Sequence, residues 1–221
     1  MAVVFVDVAQ QCAPQIVAET LAGVVSVESG FQPFAIRINS DHPLAEQPKS
    51  RAEAIEVAST LIADGIDVDL GLAGINSFDL GQLGLSVSDA SDICLNLKAS
   101  ASLLDGYYRV AVKAGATDAQ AETVMLRSYY GHGDPALGEM VGYDTRVLAE
   151  SKRLVERLQA IEISQEQASE PLRRDRAAGH AASSDAGTIL EHSRSRSEPP
   201  APQWDVFNSG RRSSVLVFSN D

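Results

Sequence analysis

The chain has 221 residues, 44% of them hydrophobic, and carries 18 Lys and Arg against 30 Asp and Glu for a formal charge of −12. That apolar content supports a core and excludes a wholly disordered chain. The acidity concentrates in residues 1–163, with 11 basic against 22 acidic side chains, which argues against nucleic-acid partners, because phosphates need cationic neutralisation.

Met1 to Gln10 holds a short apolar stretch, Ala2 to Phe5, interrupted by Asp7. It has no basic lead and no full apolar region, so it is not a secretory signal as written. No apolar run anywhere approaches the ~18–20 residues of a membrane span. Pro14 suits a first helical turn, and Ile16, Val17, Leu21, Val24 and Val25 recur at helical spacing. Gly30 suits the left-handed cap of this helix, with Pro33 close behind. Ser50 and Glu53 form a capping-box pattern for a helix carrying Ile55, Ala58 and Ile62, ending at Gly65. Asp67 to Leu85, with Gly71, Gly74, Gly81 and Gly84, reads as loop with short turns.

A third helix is expected from about Leu95 to Val112 and a fourth from Asp118 to Tyr129, broken by Gly131, Gly133 and Pro135. The last, Thr145 to Ile163, places Val147, Leu154, Val155, Leu158 and Ile161 on one stripe. No sustained period-2 alternation occurs before residue 200, so the body is expected to be mainly α. After Ser164 the composition turns to Gln, Ser, Arg, Ala, Glu and Pro. Residues 164–221 therefore read as a low-complexity tail with a short apolar ending. Val215 to Phe218 is either a frayed terminus or a linear segment that adds to a partner's sheet edge.

Two cysteines, Cys12 and Cys94, are too far apart for metal-ligand spacing, and no metal site is expected. On the residues alone they are either two buried free thiols or one disulfide in an oxidising compartment. Asp64, Asp67 and Asp69 lack the pattern of a calcium loop and read as solvated surface. His132, between two glycines and with no nucleophile nearby, reads as a cleft-rim residue. Asp134 reads as the cap of the turn before Pro135.

Glu28 lies in the last turn of the first helix, near the negative end of the macrodipole and among Val24, Val25 and Val27. Dipole and desolvation both push a carboxyl pKa upward, which suits a general acid near neutral pH. The competing reading is a surface glutamate at a frayed helix end.

The string Val27-Glu28-Ser29-Gly30-Phe31-Gln32-Pro33-Phe34-Ala35-Ile36 resembles the Glu-Ser-Gly segment of lytic transglycosylases, in the lysozyme-like superfamily. Three further blocks follow in that family's order. They are Gly71-Leu72-Ala73-Gly74-Ile75-Asn76, then Asp92-Ile93-Cys94-Leu95-Asn96-Leu97, then Ser128-Tyr129-Tyr130-Gly131-His132-Gly133-Asp134 with Gly142-Tyr143. The paired cysteines make it similar to the branch encoded with type IV secretion and conjugative-transfer systems, the first subunit of the VirB set.

The resemblance implies a lysozyme-like helical domain over residues 1–163, with an irregular Gly-rich cleft loop. It implies that Glu28 is the sole catalytic acid/base, acting on MurNAc–GlcNAc β-1,4 bonds of peptidoglycan with formation of 1,6-anhydro-MurNAc. No cofactor is implied. Ser29, Ile75, Asn76, Tyr129 and Tyr143 would serve the substrate site, with Tyr129 bonding Glu28 and Tyr143 packing along the cleft. Cys12 and Cys94 would form a disulfide. The partners would be glycan strands and subunits of a type IV secretion channel, in the periplasm, with a virulence or conjugation role. Because no leader is evident, an upstream start or a trimmed chain is expected. Ala73-Gly74 stands where the family has Met-Gln, which leaves open a catalytically weak or inactive scaffold. A separate alternative is a hydrolase of the goose-lysozyme type, with a second group to position water.

Overall fold

The computed structural model describes residues 2–40 and 43–164. The tail reading, and with it the segment Val215 to Phe218, lies outside the described residues apart from Ser164. In chain order the elements begin with β1 (Ala2–Val4), α1 (Phe5–Cys12), α2 (Ala18–Ser29), β2 (Ile36–Ile38) and α3 (Arg51–Ala63). β3 (Val68–Leu70), β4 (Ile75–Asn76), α4 (Leu80–Leu83) and α5 (Val87–Ala90) follow. The remainder are α6 (Ile93–Lys113), α7 (Asp118–Tyr130), α8 (Pro135–Met140), α9 (Tyr143–Leu154) and β5 (Glu162–Ser164). The body is mainly α, as expected.

Three details differ from the sequence reading. The segment before Pro14 is a strand and a helix of its own, with Phe5, Val6, Ala9 and Cys12 buried at helical spacing. The glycine-rich stretch contains β3 and β4, which pair antiparallel with β2 in the order β2-β3-β4. The last helix ends at Leu154. A 3-10 segment carries the chain to Ala160, and β5 then pairs with β1. Val155 is accordingly exposed while Leu158 and Ile163 are buried.

Local signals account for the ends of several helices. Gly30 caps α2 in the left-handed region at φ 58°, where a side chain would be strained. Ser50 Oγ accepts from the Glu53 amide, but the Glu53 carboxylate turns to the Lys49 amide rather than closing a full capping box. Thr117 and Gln120 do form a reciprocal box at the start of α7.

Two apolar cores flank α6. The larger gathers α1, α2, α7 and α9 around Leu21, Val24, Leu97, Leu104, Leu126 and Tyr143. The smaller lies under the three-stranded sheet, with Ile36, Val68, Leu70, Ile75 and Ala99. Leu97, Ala101 and Leu104 repeat at i, i+4 and i+7 toward the large core, and Ala99 faces the small one. A disulfide joins Cys12, at the end of α1, to Cys94 in the first turn of α6, with Cα atoms 5.3 Å apart. The bridge is as the resemblance implied.

Candidate active site

Glu28 sits in the last turn of α2, at the seam between the two cores. Only 3% of its side chain is exposed. Immediately after it, Gly30 and Phe31 both take positive φ, 58° and 67°. A phenylalanine there is strained; its ring is held edge-on against Phe5 at 5.3 Å. This reversal sends the chain back past Glu28 as β2, which brings Arg37 to 2.8 Å from Glu28 Oε2.

The opposite wall is the turn Gly71–Gly74, whose end glycines have φ of 75° and 65°. Three side chains pin it. Ser29 Oγ donates to Leu72 O at 2.6 Å. Asn96 accepts from the Ala73 amide and donates to Leu70 O and Ala90 O. Tyr129 Oη donates to Ala73 O at 2.7 Å. Asn96 is buried, so its fully used amide is worth a large fraction of the turn's rigidity.

The pinned turn sets Gly74 against the acid. A Cβ at position 74 would lie 2.8 Å from Glu28 Oε2 and 3.2 Å from its Cδ. The absence of the family's glutamine is therefore a matter of space as well as chemistry. Gly74→Ala is expected to cost about 1–2 kcal/mol through its left-handed backbone and to displace the carboxylate. Turnover should fall by at least tenfold; unchanged turnover in a variant with a native melting curve would contradict this placement.

The two tyrosines are arranged differently from the expectation. Tyr143, not Tyr129, bonds the acid: its hydroxyl donates to Glu28 Oε1 at 2.5 Å. Gly142 breaks the chain at φ 61° and starts α9 with Tyr143 turned inward, where α9 packs along α2. Tyr143 is fully buried, stacked on Tyr129 and tilted against Tyr130. Its hydroxyl therefore orients Glu28, and its ring does not face the groove. Tyr143→Phe should lower turnover about 10-fold or more, from the loss of a hydrogen bond to an ionisable group. Tyr129→Phe should instead lower the melting temperature by freeing the turn. Equal activity losses in the two variants would contradict the division.

Burial pushes the Glu28 carboxyl above its ordinary range. The Arg37 charge, the Tyr143 hydrogen bond and a weaker Arg37 hydrogen bond oppose that rise, and the Asp69 charge adds to it. Burial also raises both Tyr129 and Tyr143, with the Glu28 charge as the next cause. Both hydroxyls therefore stay protonated as donors.

Two hollows meet at this point. One, of about 590 Å³, is lined by Glu28, Arg37, Asp69, Gly74 and Tyr129, with Met140 and Leu137 on its rim. The other, of about 310 Å³, shares Glu28, Arg37, Asp69 and Gly74 and runs on toward Gln32 and Gln47. Together they form a groove that passes the Glu28 carboxyl on both sides. Larger hollows exist elsewhere, such as one of about 850 Å³ between α6 and α7, but no buried carboxylate lines it.

Ile75 and Asn76 place their side chains away from this groove. Ile75 is in the small core, and Asn76 is buried, donating to Asp67 Oδ1 and Asp69 Oδ1 and accepting from the Phe78 amide. Ser29 does line the smaller hollow, but its hydroxyl is spent on the turn. His132 lines the groove, with Nδ1 3.1 Å from Asp79 Oδ2, and Asp134 caps α8 through the Ala136 amide. Asp69 is not solvated surface: it is buried and takes Arg37 Nε and Nη2 on Oδ2, at 3.0 and 2.7 Å.

Arg37 and Asp69 were not singled out from the sequence. The signal was there in small print: Ile-Arg-Ile and Val-Asp-Leu each place one charge between apolar neighbours. The two are register partners across β2 and β3.

A buried carboxyl beside a groove, oriented by a tyrosine, is equipped to deliver a proton to a group bound there. Residues 8–129 match the family model described as the transglycosylase SLT domain. The chain belongs to the transglycosylase SLT domain family. The SLT domain here is 42% identical over 108 residues to the type IV secretion system protein virB1 of Brucella abortus. That match covers 49% of this chain and 45% of the relative. It is 33% identical over 159 residues to protein virB1 of Agrobacterium fabrum, covering 71% of this chain and 62% of the relative. A virB1 protein of Rhizobium radiobacter is 31% identical over 154 residues, with 68% and 62% covered. The SLT domain chain thus spans about half the length of the Brucella relatives and under two thirds of the others. No solved structure matches the chain. Among the described residues, no helix is long and apolar enough to cross a membrane, and no cluster of His, Cys, Asp and Glu suits a metal ion.

Proposed function

We propose that the chain is a peptidoglycan lytic transglycosylase, with Glu28 as its acid and base, that opens the cell wall locally for a type IV secretion or conjugation apparatus in the periplasm. The observation that carries this reading is the Glu28 carboxyl itself: buried, pushed toward protonation, and flanked on both sides by groove.

In the proposed reaction, Glu28 protonates the glycosidic oxygen as the bond to MurNAc C1 breaks. The resulting carboxylate then takes the proton from the MurNAc C6 hydroxyl, whose oxygen closes on C1 and leaves the 1,6-anhydro ring. One carboxyl suffices because the nucleophile is tethered to the reacting sugar. Hydrolysis would instead need a second group to activate water across the sugar. The other described carboxylates at this groove support the first scheme. Asp69 is paired with Arg37 and Asn76, and Asp67 holds Asn76, so neither is idle.

The same carboxyl environment supports an active enzyme over a retired scaffold, despite Gly74. Glycan strands are the substrate of this reading, and channel subunits are its partners, by likeness to the virB1 relatives. The test is digestion of purified sacculi by the full chain, with mass spectrometry of the products. Anhydro-ended muropeptides are expected. Reducing MurNAc ends would point to a hydrolase, and no release by a well-folded protein would point to the scaffold.

A further inference from the structure

Arg37 is a difficulty for any reading in which Glu28 gives up a proton. A permanent cation 2.8 Å from Oε2 favours the ionised carboxylate. Proximity alone does not describe the contact, however. Arg37 Nη2 lies within hydrogen-bonding distance of Glu28 Oε2 and lowers the Glu28 pKa by charge and by hydrogen bond. Its N–H is poorly directed there, however, so Oε2 has no well-aligned donor. The aligned N–H groups, Nε and Nη2, both go to Asp69 Oδ2.

Asp69 is built to receive them. It lies opposite Arg37 in the β2–β3 register and opposite Asn76 in the β3–β4 register. The three form one row across the sheet, with the apolar row Ile36, Leu70 and Ile75 beside it in the small core. Asn76 Nδ2 fixes the other Asp69 oxygen at 2.8 Å. Arg37 is 42% exposed at the groove, so its position depends on this grip and not on burial.

We propose that Asp69, braced by Asn76, is a positioning residue for the acid: it draws the aligned N–H groups of Arg37 onto its own carboxylate and so weakens the arginine's hold on Glu28 Oε2, which must carry a proton. This rests on Glu28 being the acid of the reaction proposed above. The groups facing Glu28 are Tyr143 from α9, Tyr129 from α7, Arg37 from β2 and Asp69 from β3. Asp67, Arg146 and His132 stand farther along the same groove. The well-aligned hydrogen bond to Glu28 comes from Tyr143, with Arg37 Nη2 a close but poorly directed second donor. The cation beside it then serves the second half of the cycle, when the carboxylate has lost its proton and must wait for another.

The test reads Glu28 directly, by ¹³C NMR titration of its carboxyl in the free protein, alongside the pH profile on sacculi. The sign follows from the geometry. Asp69→Asn lets Arg37 turn its N–H groups on Glu28, so the Glu28 midpoint should fall by about one pH unit or more, which is tenfold in protonated fraction. The alkaline limb of turnover should move down with it. Arg37→Met should move both upward. Asp69→Asn in the Arg37→Met background should produce a clearly smaller shift than in the parent, because the residue acts through the arginine. Equal shifts in both backgrounds would show Asp69 acting only as a direct charge and would overturn the proposal, as would no shift in the single variant. Asp69→Glu keeps a carboxylate for Arg37 and should recover part of the midpoint. If the midpoints move as described but no anhydro product forms on any sample, the positioning role stands and the transglycosylase reading fails.

Discussion

Glu28→Gln should abolish release of muropeptides while making the domain no less stable. Loss of the acid removes about 10²–10⁴-fold of rate or more, since no second carboxyl replaces it. The stability half follows from the direction of its pKa. Glu28 is raised in the folded protein, so its contribution to stability is whole below its unfolded pKa. It is lost as the pH climbs through the folded value. Glutamine cannot ionise and escapes that loss, and its carbonyl still accepts from Tyr143. Arg37 remains paired with Asp69. The melting temperature of the variant should match the parent near pH 4 and exceed it increasingly toward neutrality. A variant that melts lower at pH 7 would mean that the ionised carboxylate is a net stabiliser beside Arg37.

Reduction of the Cys12–Cys94 bridge should have the largest effect on the fold. The two cysteines are 82 residues apart, and closing a loop of that size lowers unfolded-chain entropy by about 4.5 kcal/mol in equivalent free energy. For a domain of this size each kcal/mol is about 2–4 °C in melting temperature. A double Cys12→Ser, Cys94→Ser variant should therefore melt roughly 9–18 °C lower. Scanning calorimetry with and without reductant measures it. The bridge joins α1 to α6 and lines neither hollow beside Glu28, so initial rates well below the melting point should persist. A drop of only a few degrees would show that the unfolded chain is already constrained near these positions.

The parts of this fold that could be read from sequence are those whose cause is local. Gly30 before Pro33, Ser50 at a helix start and Asp134 before Pro135 each do by themselves what their position requires. Glu28 was singled out by its place in the last turn of an apolar helix, but that alone left a surface glutamate open. It was the resemblance of Val27 to Ile36 to the transglycosylase segment that pointed to it, and its burial is a property of the fold. The short strands were not legible. β2, β3 and β4 have two or three residues each, too few for alternation to register. The turn that joins β3 to β4 is held by Asn96 and Tyr129, which arrive from distant helices. The exchange of roles between Tyr129 and Tyr143 has a similar origin. Both are tyrosines near the end of the domain, and only the packing of α9 on α2 decides which hydroxyl reaches Glu28. Arg37 and Asp69 were hidden because each is an ordinary charge until the register puts them side by side.

The ribbon made by β1 and β5 has a mechanical consequence. Ala2 stands opposite Ser164, so the polypeptide enters and leaves this body at one spot. Tension applied through the two ends would open the ribbon rung by rung, like a zip, instead of shearing all its rungs together. Anything fused before Ala2 and anything following Ser164 would share a single anchorage, which makes that spot a natural place to hang a tether.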